Sequence, residues 1–269
     1  MTALLQPLNG LAIGLSASLG EDASDLGCTD KTLNQTVIEL STALLERGAR
    51  LCFGHDWRPE GVMLAVTDAA KQLRSRSPER TDSCIQNFVH AETRSAITPE
   101  LAEELSGIVQ VSQLENPATE AASIQELDSA LRQKIALLAM RRELARSVNR
   151  VLCLGGKWKG HSGWVPGILE EVLRNLQLKH PVFLCASFGG ASAILYRAIV
   201  QRESAELETV QARLDEVLAQ VAEEAGKNSP SYTDVAGLKR QWEELDPSLV
   251  SGSEAKTAEG LLADFLATV

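Results

Sequence analysis

The chain lacks the excess of positive charge that marks a non-specific nucleic-acid or anionic-membrane surface. Its 26 Lys and Arg face 36 Asp and Glu, a net charge of −10, which argues against both partners. Any anionic ligand must then be met by locally placed cations. No uninterrupted apolar run is long enough to span a bilayer. The opening MTALLQPLNGLAIGL carries no basic leader and no small-residue cleavage site, so a cytoplasmic protein with no membrane partner is expected. Paired cysteines are missing as well: the five present are scattered, with no CxxC motif, which implies no disulfide framework. Cys52, Cys153 and Cys185 sit inside apolar runs and read as small buried hydrophobes. His55, His90, His161 and His180 show no metal-ligand spacing with one another or with the cysteines, so neither a metal nor a cofactor is expected. No sequence repeat is present.

What remains is a chain of 269 residues, 44% hydrophobic, long enough to bury a sizeable core. Short apolar runs alternate with segments of helical period, the signature of crossover units feeding a mostly parallel sheet. The pattern predicts strands at Leu11–Leu15, Ala49–Phe53, Ile85–Val89, Ile108–Val111, Arg150–Leu154 and Pro181–Cys185. It predicts helices through Leu33–Leu44, Gly61–Leu73, Glu100–Leu105, Glu120–Ser147 and Pro166–Leu178, with another opening after Gly190. The fold class is therefore α/β, a three-layer sandwich. Near Gln201 the composition changes, and Leu207, Val210, Leu214, Val217 and Val221 form a narrow apolar seam on a charged helix, followed by two shorter helices. We read residues 1–203 as the main domain and 204–269 as a helical extension for packing, oligomerisation or capping.

The segment VLCLGGKWKGHSGWVPGILEE, from Val151 to Glu171, carries the strongest functional signal. A strand runs into glycines and then opens a helix, an arrangement whose amides and dipole suit a phosphate. Gly155, Gly156 and Gly160 lie in this loop with Lys157 and Lys159. Three other strand ends carry related clusters. Ser16 and Ser18 follow the first strand; Asp56 and Arg58 sit in the GHDWRPEG turn after the second; Phe188, Gly189 and Gly190 follow the strand ending at Cys185. Ligands in such sheets sit beyond the carboxyl ends of the strands. Arg141, near the end of the long helix, either reaches back to that crevice or belongs to a solvated face. Glu170 and Glu171, in the first turn of the next helix, either complement its dipole or bond a ribose and help cleave a glycosidic bond. Trp158 and Trp164 either stack on a base or pack the loop.

Taken together, GLSAS with a following LG, ERGARLCFGHDWRPEG, AMRRELARSVNRVLCLGGKWKG, GWVPGILEE and PVFLCASFGGA resemble the SLOG superfamily. This is the Rossmann-like group that joins LOG phosphoribohydrolases with DprA-type and TIR-associated nucleotide-sensing domains. The resemblance covers roughly residues 10 to 200 and implies a pocket for an ADP-ribose-like nucleotide. In LOG enzymes an arginine of a Met-x-x-Arg-Lys segment and a glutamate of a compact Gly-Gly-x-Gly-Thr-x-x-Glu loop serve base cleavage. Met140-Arg141-Arg142 approximates the first. The second is stretched, with Gly155-Gly156 far from Glu170 and no Gly-Thr pair.

The longer loop with Lys157, the Arg58 turn and the Phe188-Gly189-Gly190 turn are closer to the TIR-associated branch. That implies a sensor of NAD-derived signals such as cyclic ADP-ribose, in bacterial nucleotide signalling or anti-phage defence, acting as a homo-oligomer or through a TIR or other effector partner. Arg58, Arg141 and Lys157 would then neutralise a diphosphate, and Glu171 or Asp56 would hold ribose. The alternative is a phosphoribohydrolase using Arg141 with Glu170 or Glu171.

Overall fold

In the computed structural model, residues 7–54, 62–76, 84–90, 92–93, 97–114 and 128–269 are described. Among them seven strands form one sheet: β1 (Ala12–Ser18), β2 (Arg50–Gly54), β3 (Ile85–His90), β4 (Val109–Leu114), β5 (Arg150–Gly155), β6 (Val182–Cys185) and β7 (Val250–Ser253). The order is β4-β3-β2-β1-β5-β6-β7, and every pairing is parallel. The chain builds outward from β1 to β4, then returns to the other side of β1 to lay down β5, β6 and β7. The direction of winding thus reverses between β1 and β5, and that reversal is where a parallel sheet leaves a crevice at its carboxyl edge.

Nine α-helices accompany the sheet among the described residues: α1 (Asp30–Glu46), α2 (Val62–Arg76), α3 (Pro99–Leu105), α4 (Ser129–Arg146), α5 (Gly167–Gln177), α6 (Gly190–Leu195), α7 (Ser204–Glu224), α8 (Pro230–Glu243) and α9 (Ala258–Leu266). The apolar spacing read in α1 is what buries it: Leu33, Val37, Leu40 and Leu44 are at most 2% exposed. Thr29 and Thr32 close its first turn as a reciprocal cap, satisfying amides that the helix itself leaves free. Gly48 follows the last residue of the helix turn with φ +96°, the left-handed exit expected from Arg47-Gly48.

Strand alternation divides the core between the two faces of the sheet. Leu152 and Leu154 of β5 pack with α1, α2 and α9, whereas Val151 and Cys153 pack with α4, α5, α7 and α8. Four residues of the expected α7 seam, Val210, Leu214, Val217 and Val221, are fully buried in a core cluster shared with α5, α8 and Trp164, whereas the fifth, Leu207, is exposed. Two shorter helices follow, as read from the sequence. The structure adds β7 between them, pairing Val250–Ser253 with Val182–Cys185 along β6. The long helix expected from Glu120 begins at Ser129, with Asp128 as its non-helical N-cap; residues 120–127 lie outside the described ones.

Candidate functional site

The pairing of β1 with β5 sets Ser16 beside Cys153 and Ser18 beside Gly155, so two of the chain stretches singled out in the sequence leave the sheet side by side. Between them and α4 opens a cleft of about 700 Å³, within the range of roughly 300–1,000 Å³ typical of small-molecule sites. Ser16, Ser18, Arg141, Gly156, Lys157, Gly160 and Glu171 all line it. Leu15, Leu33, Phe53, Leu137 and Met140 add apolar surface to the lining. Helix α5 opens on the cleft at Gly167 and Ile168, which adds the positive end of its dipole.

Gly155, Glu170, Phe188, Gly189 and Gly190 do not line the cleft, and Asp56 and Arg58 lie outside the described residues. Gly155 and Gly190 have a packing reason for being glycine. Both have positive φ, and a Cβ would strike the Ser18 carbonyl oxygen at Gly155 and the Gly156 carbonyl oxygen at Gly190. The turns after β1, β5 and β6 are therefore pressed backbone to backbone.

Amides in these turns that the sequence offers to a phosphate are committed within the chain. Gly156 N–H donates to the Ser18 carbonyl at 2.6 Å, and Ala191 N–H donates to the Gly156 carbonyl at 2.9 Å. Glu21 accepts from the Trp158 and Lys159 amides at 3.1 and 2.5 Å, and Asp22 accepts from Gly190 N–H at 2.7 Å. Burial works to raise the Glu21 pKa, but these amide bonds outweigh it and hold the carboxyl below its usual range. Neither acid carried a recognisable motif, and each meets a partner well over a hundred residues away. What the cleft offers an anion is instead the exposed Lys157 ammonium, the Arg141 guanidinium and the hydroxyls of β1.

The two adjacent glutamates of α5 have different surroundings. Glu170 is fully buried and shares its carboxylate between Arg141 Nη1 and Arg174 Nε, both at 2.7 Å. Glu171 lies on the cleft wall, with Ser16 hydrogen-bonded to it and Arg141 Nε at 3.8 Å. Burial pushes its carboxyl up to about 7; Arg141 and Ser16 pull the other way, and Glu170 adds to the rise. Gly163 and Gly167 make room for Arg141: a Cβ at Gly167 would lie 2.8 Å from its Nη2.

Helix α7 supports the far rim. His161 donates through Nδ1 to the Gly163 carbonyl at 3.0 Å, and its Nε2 accepts from Arg213 at 2.7 Å. Burial and then the Arg213 charge lower its pKa, which favours this neutral form. Trp158 and Trp164 are buried packing residues, and the Trp164 indole N–H donates to Glu224 at 2.7 Å. Among the described residues, no cluster of three His, Cys, Asp or Glu is arranged to hold a metal, and no helix is long and apolar enough to cross a membrane.

A parallel sheet with a crevice at its switch point, lined by hydroxyls, two cations and a buried acid, defines a Rossmann-like α/β protein with a ligand-sized cleft at its strand ends. Comparison with family models makes this specific. The SLOG cluster2 model matches residues 7–246, and the chain belongs to that family, which associates it with nucleotide-related binding or processing. No curated protein matches the chain.

Proposed function

We propose that the cleft binds an ADP-ribose-like or NAD-derived nucleotide, such as cyclic ADP-ribose, and that the protein is a sensor or regulatory module of bacterial nucleotide signalling or anti-phage defence. Its signal passes on through a homo-oligomer or an effector of the TIR type. The observation that carries this reading is the convergence of Ser16, Ser18, Arg141, Lys157 and Glu171 on one cleft. Lys157 and Arg141 meet the phosphates, Glu171 takes a ribose hydroxyl, and the apolar lining of Leu33, Phe53, Leu137 and Met140 receives the base. Asp56 and Arg58, which follow β2 in the sequence, are proposed to complete the site.

Calorimetry with ADP-ribose, cyclic ADP-ribose, NAD and AMP, coupled to chromatography for released base, tests the proposal. Binding without base release supports the sensor. Absence of binding by all four rejects it.

One observation favours a second reading. Glu171, with its pKa near 7 beside Arg141, has the properties of a general base at neutral pH. In a phosphoribohydrolase, water would attack the anomeric carbon and pass its proton to Glu171. The C1′–N bond would break as the C1′–O bond forms, and the base would leave with the bonding pair. Release of free base by the wild type, abolished in Glu171→Gln, would establish this reading.

A further inference from the structure

Arg141 is the last visible part of a buried ionic chain that begins away from the cleft. Its Nη1 meets one oxygen of Glu170 at 2.7 Å, and Arg174 Nε meets the other oxygen at the same distance. Arg174 then closes a two-pronged pair with Asp234 of α8 at 3.1 and 2.8 Å. Side-chain exposure is 1% for Glu170 and 4% for Arg174, and rises to 23% only at Asp234. Four charged groups of alternating sign thus connect the cleft wall to α8.

Stability is a weak reason for such a chain, because burying ion pairs costs desolvation that well-packed apolar residues would avoid. What it does provide is a fixed orientation for one guanidinium. Glu170 holds Arg141 by a single prong, and Arg141 Nε has no hydrogen-bond partner and lies 3.8 Å from the Glu171 carboxyl. We propose that Arg174 and Asp234, neither of them on the cleft, are positioning residues that set how much of the Arg141 charge Glu170 consumes and how much is left for Glu171 and a bound phosphate. The docking of α8 is thereby coupled to the charge of the cleft. This inference rests on the nucleotide-binding reading only for the identity of the ligand.

The physical consequence alternates along the chain. In Arg174→Met, Glu170 retains Arg141 as its sole cation and draws it away from the cleft, so Glu171 holds its proton more tightly. In Asp234→Asn, Arg174 turns fully to Glu170, Arg141 is released toward Glu171, and the Glu171 proton is held less tightly. Glu171 is also faced by Ser16 from β1 and Cys153 from β5, and shares the cleft with Lys157 and His161. These groups are the same in all variants.

The test is a carboxyl ¹³C NMR titration of Glu171 in the ligand-free full chain, with the resonance assigned by its loss in Glu171→Gln. Arg174→Met should raise the midpoint and Asp234→Asn should lower it, each by roughly one pH unit, and Asp234→Glu should restore the wild-type value. Affinity for ADP-ribose, measured alongside, should fall roughly tenfold in Arg174→Met, about the loss of one charge-assisted hydrogen bond. Midpoints that do not move, or that move in the same direction in both variants, overturn the proposal. If Arg174→Met does not fold, Asp234→Asn and Asp234→Glu decide alone: a lowered midpoint that Glu restores supports the proposal, and an unchanged one overturns it. Shifted midpoints in a protein that binds none of the nucleotides uphold the positioning role and reject only the ligand reading.

Discussion

Replacing Glu171 by glutamine should make the protein more stable at alkaline pH while damaging the cleft. In the folded chain the Glu171 carboxyl is pushed from 4.5 up to about 7, chiefly by burial. Between those two values the unfolded chain has released this proton and the folded chain still holds it. Stability therefore falls as pH rises through that window. The contribution is fully present below about pH 4.5 and lost above about pH 7. At about 1.4 kcal/mol per pH unit, the whole loss is on the order of 3 kcal/mol.

Glutamine keeps the size of the neutral acid and cannot ionise, so Glu171→Gln should match the wild type near pH 4 and exceed it near pH 8. For a chain of this length, 3 kcal/mol corresponds to a difference in melting temperature of roughly 6–12 °C. Every other titrating group is common to the two proteins and cancels in their difference. Urea denaturation of both at pH 5 and pH 8 reads the effect directly. A stability difference that is the same at both values, or a wild type that gains on the variant as pH rises, would refute the assignment of Glu171 as a buried acid held neutral. A stabilised variant that no longer handles ligand would also show that the buried acid is kept for the cleft and not for the fold.

Three further outcomes follow from the same geometry. Lys157 is exposed on the cleft rim, so Lys157→Glu should leave the melting temperature of the free protein nearly unchanged and abolish its rise with ADP-ribose; an undiminished rise would remove Lys157 from the site. Leu214 of α7 is fully buried in the same core cluster as α5, so Leu214→Ala should cost roughly 2–5 kcal/mol in chemical denaturation. A cost below about 0.5 kcal/mol, the scale of a surface substitution, would show that α7 is a detachable arm. Cys52, Cys84, Cys153 and Cys185 are buried and Cys28 only partly so, and burial pushes the Cys52 thiol up to about 11. A thiol reagent should therefore modify Cys28 alone in the native protein and all five cysteines after unfolding; rapid native modification of more than one would contradict the packing.

The sheet was readable because its buried strands are short apolar runs bounded by turn residues, and because α1 carries its apolar residues at a spacing no strand can use. Strand β7 escaped for the opposite reason. Its sequence, Val-Ser-Gly-Ser, has one apolar side chain and lies between two helical stretches. Gly252 belongs there only because the Leu184 carbonyl and the Tyr196 ring occupy the space of a Cβ, a tertiary fact with no local trace. In the cleft, Ser16, Gly156, Lys157 and Glu171 were legible as residues at strand ends and near a helix start, and Arg141 as a cation near the end of the helix that leads into β5. The carboxylates that take the loop amides were not, because Glu21 and Trp158 are joined only by the fold.

Glu170 and Glu171 show where the boundary falls. As sequence they are one pair of acids in one helical turn, equally suited to a cap or a catalytic role. A step of one residue rotates a side chain by about 100° around the helix. That rotation directs Glu170 into the Arg141–Arg174 clamp and Glu171 onto the cleft wall. Because Arg141 touches both, the first acid regulates the second: the more firmly Arg174 occupies Glu170, and the less Asp234 draws Arg174 away from it, the more of the Arg141 charge remains for Glu171 and for whatever anion enters beside it.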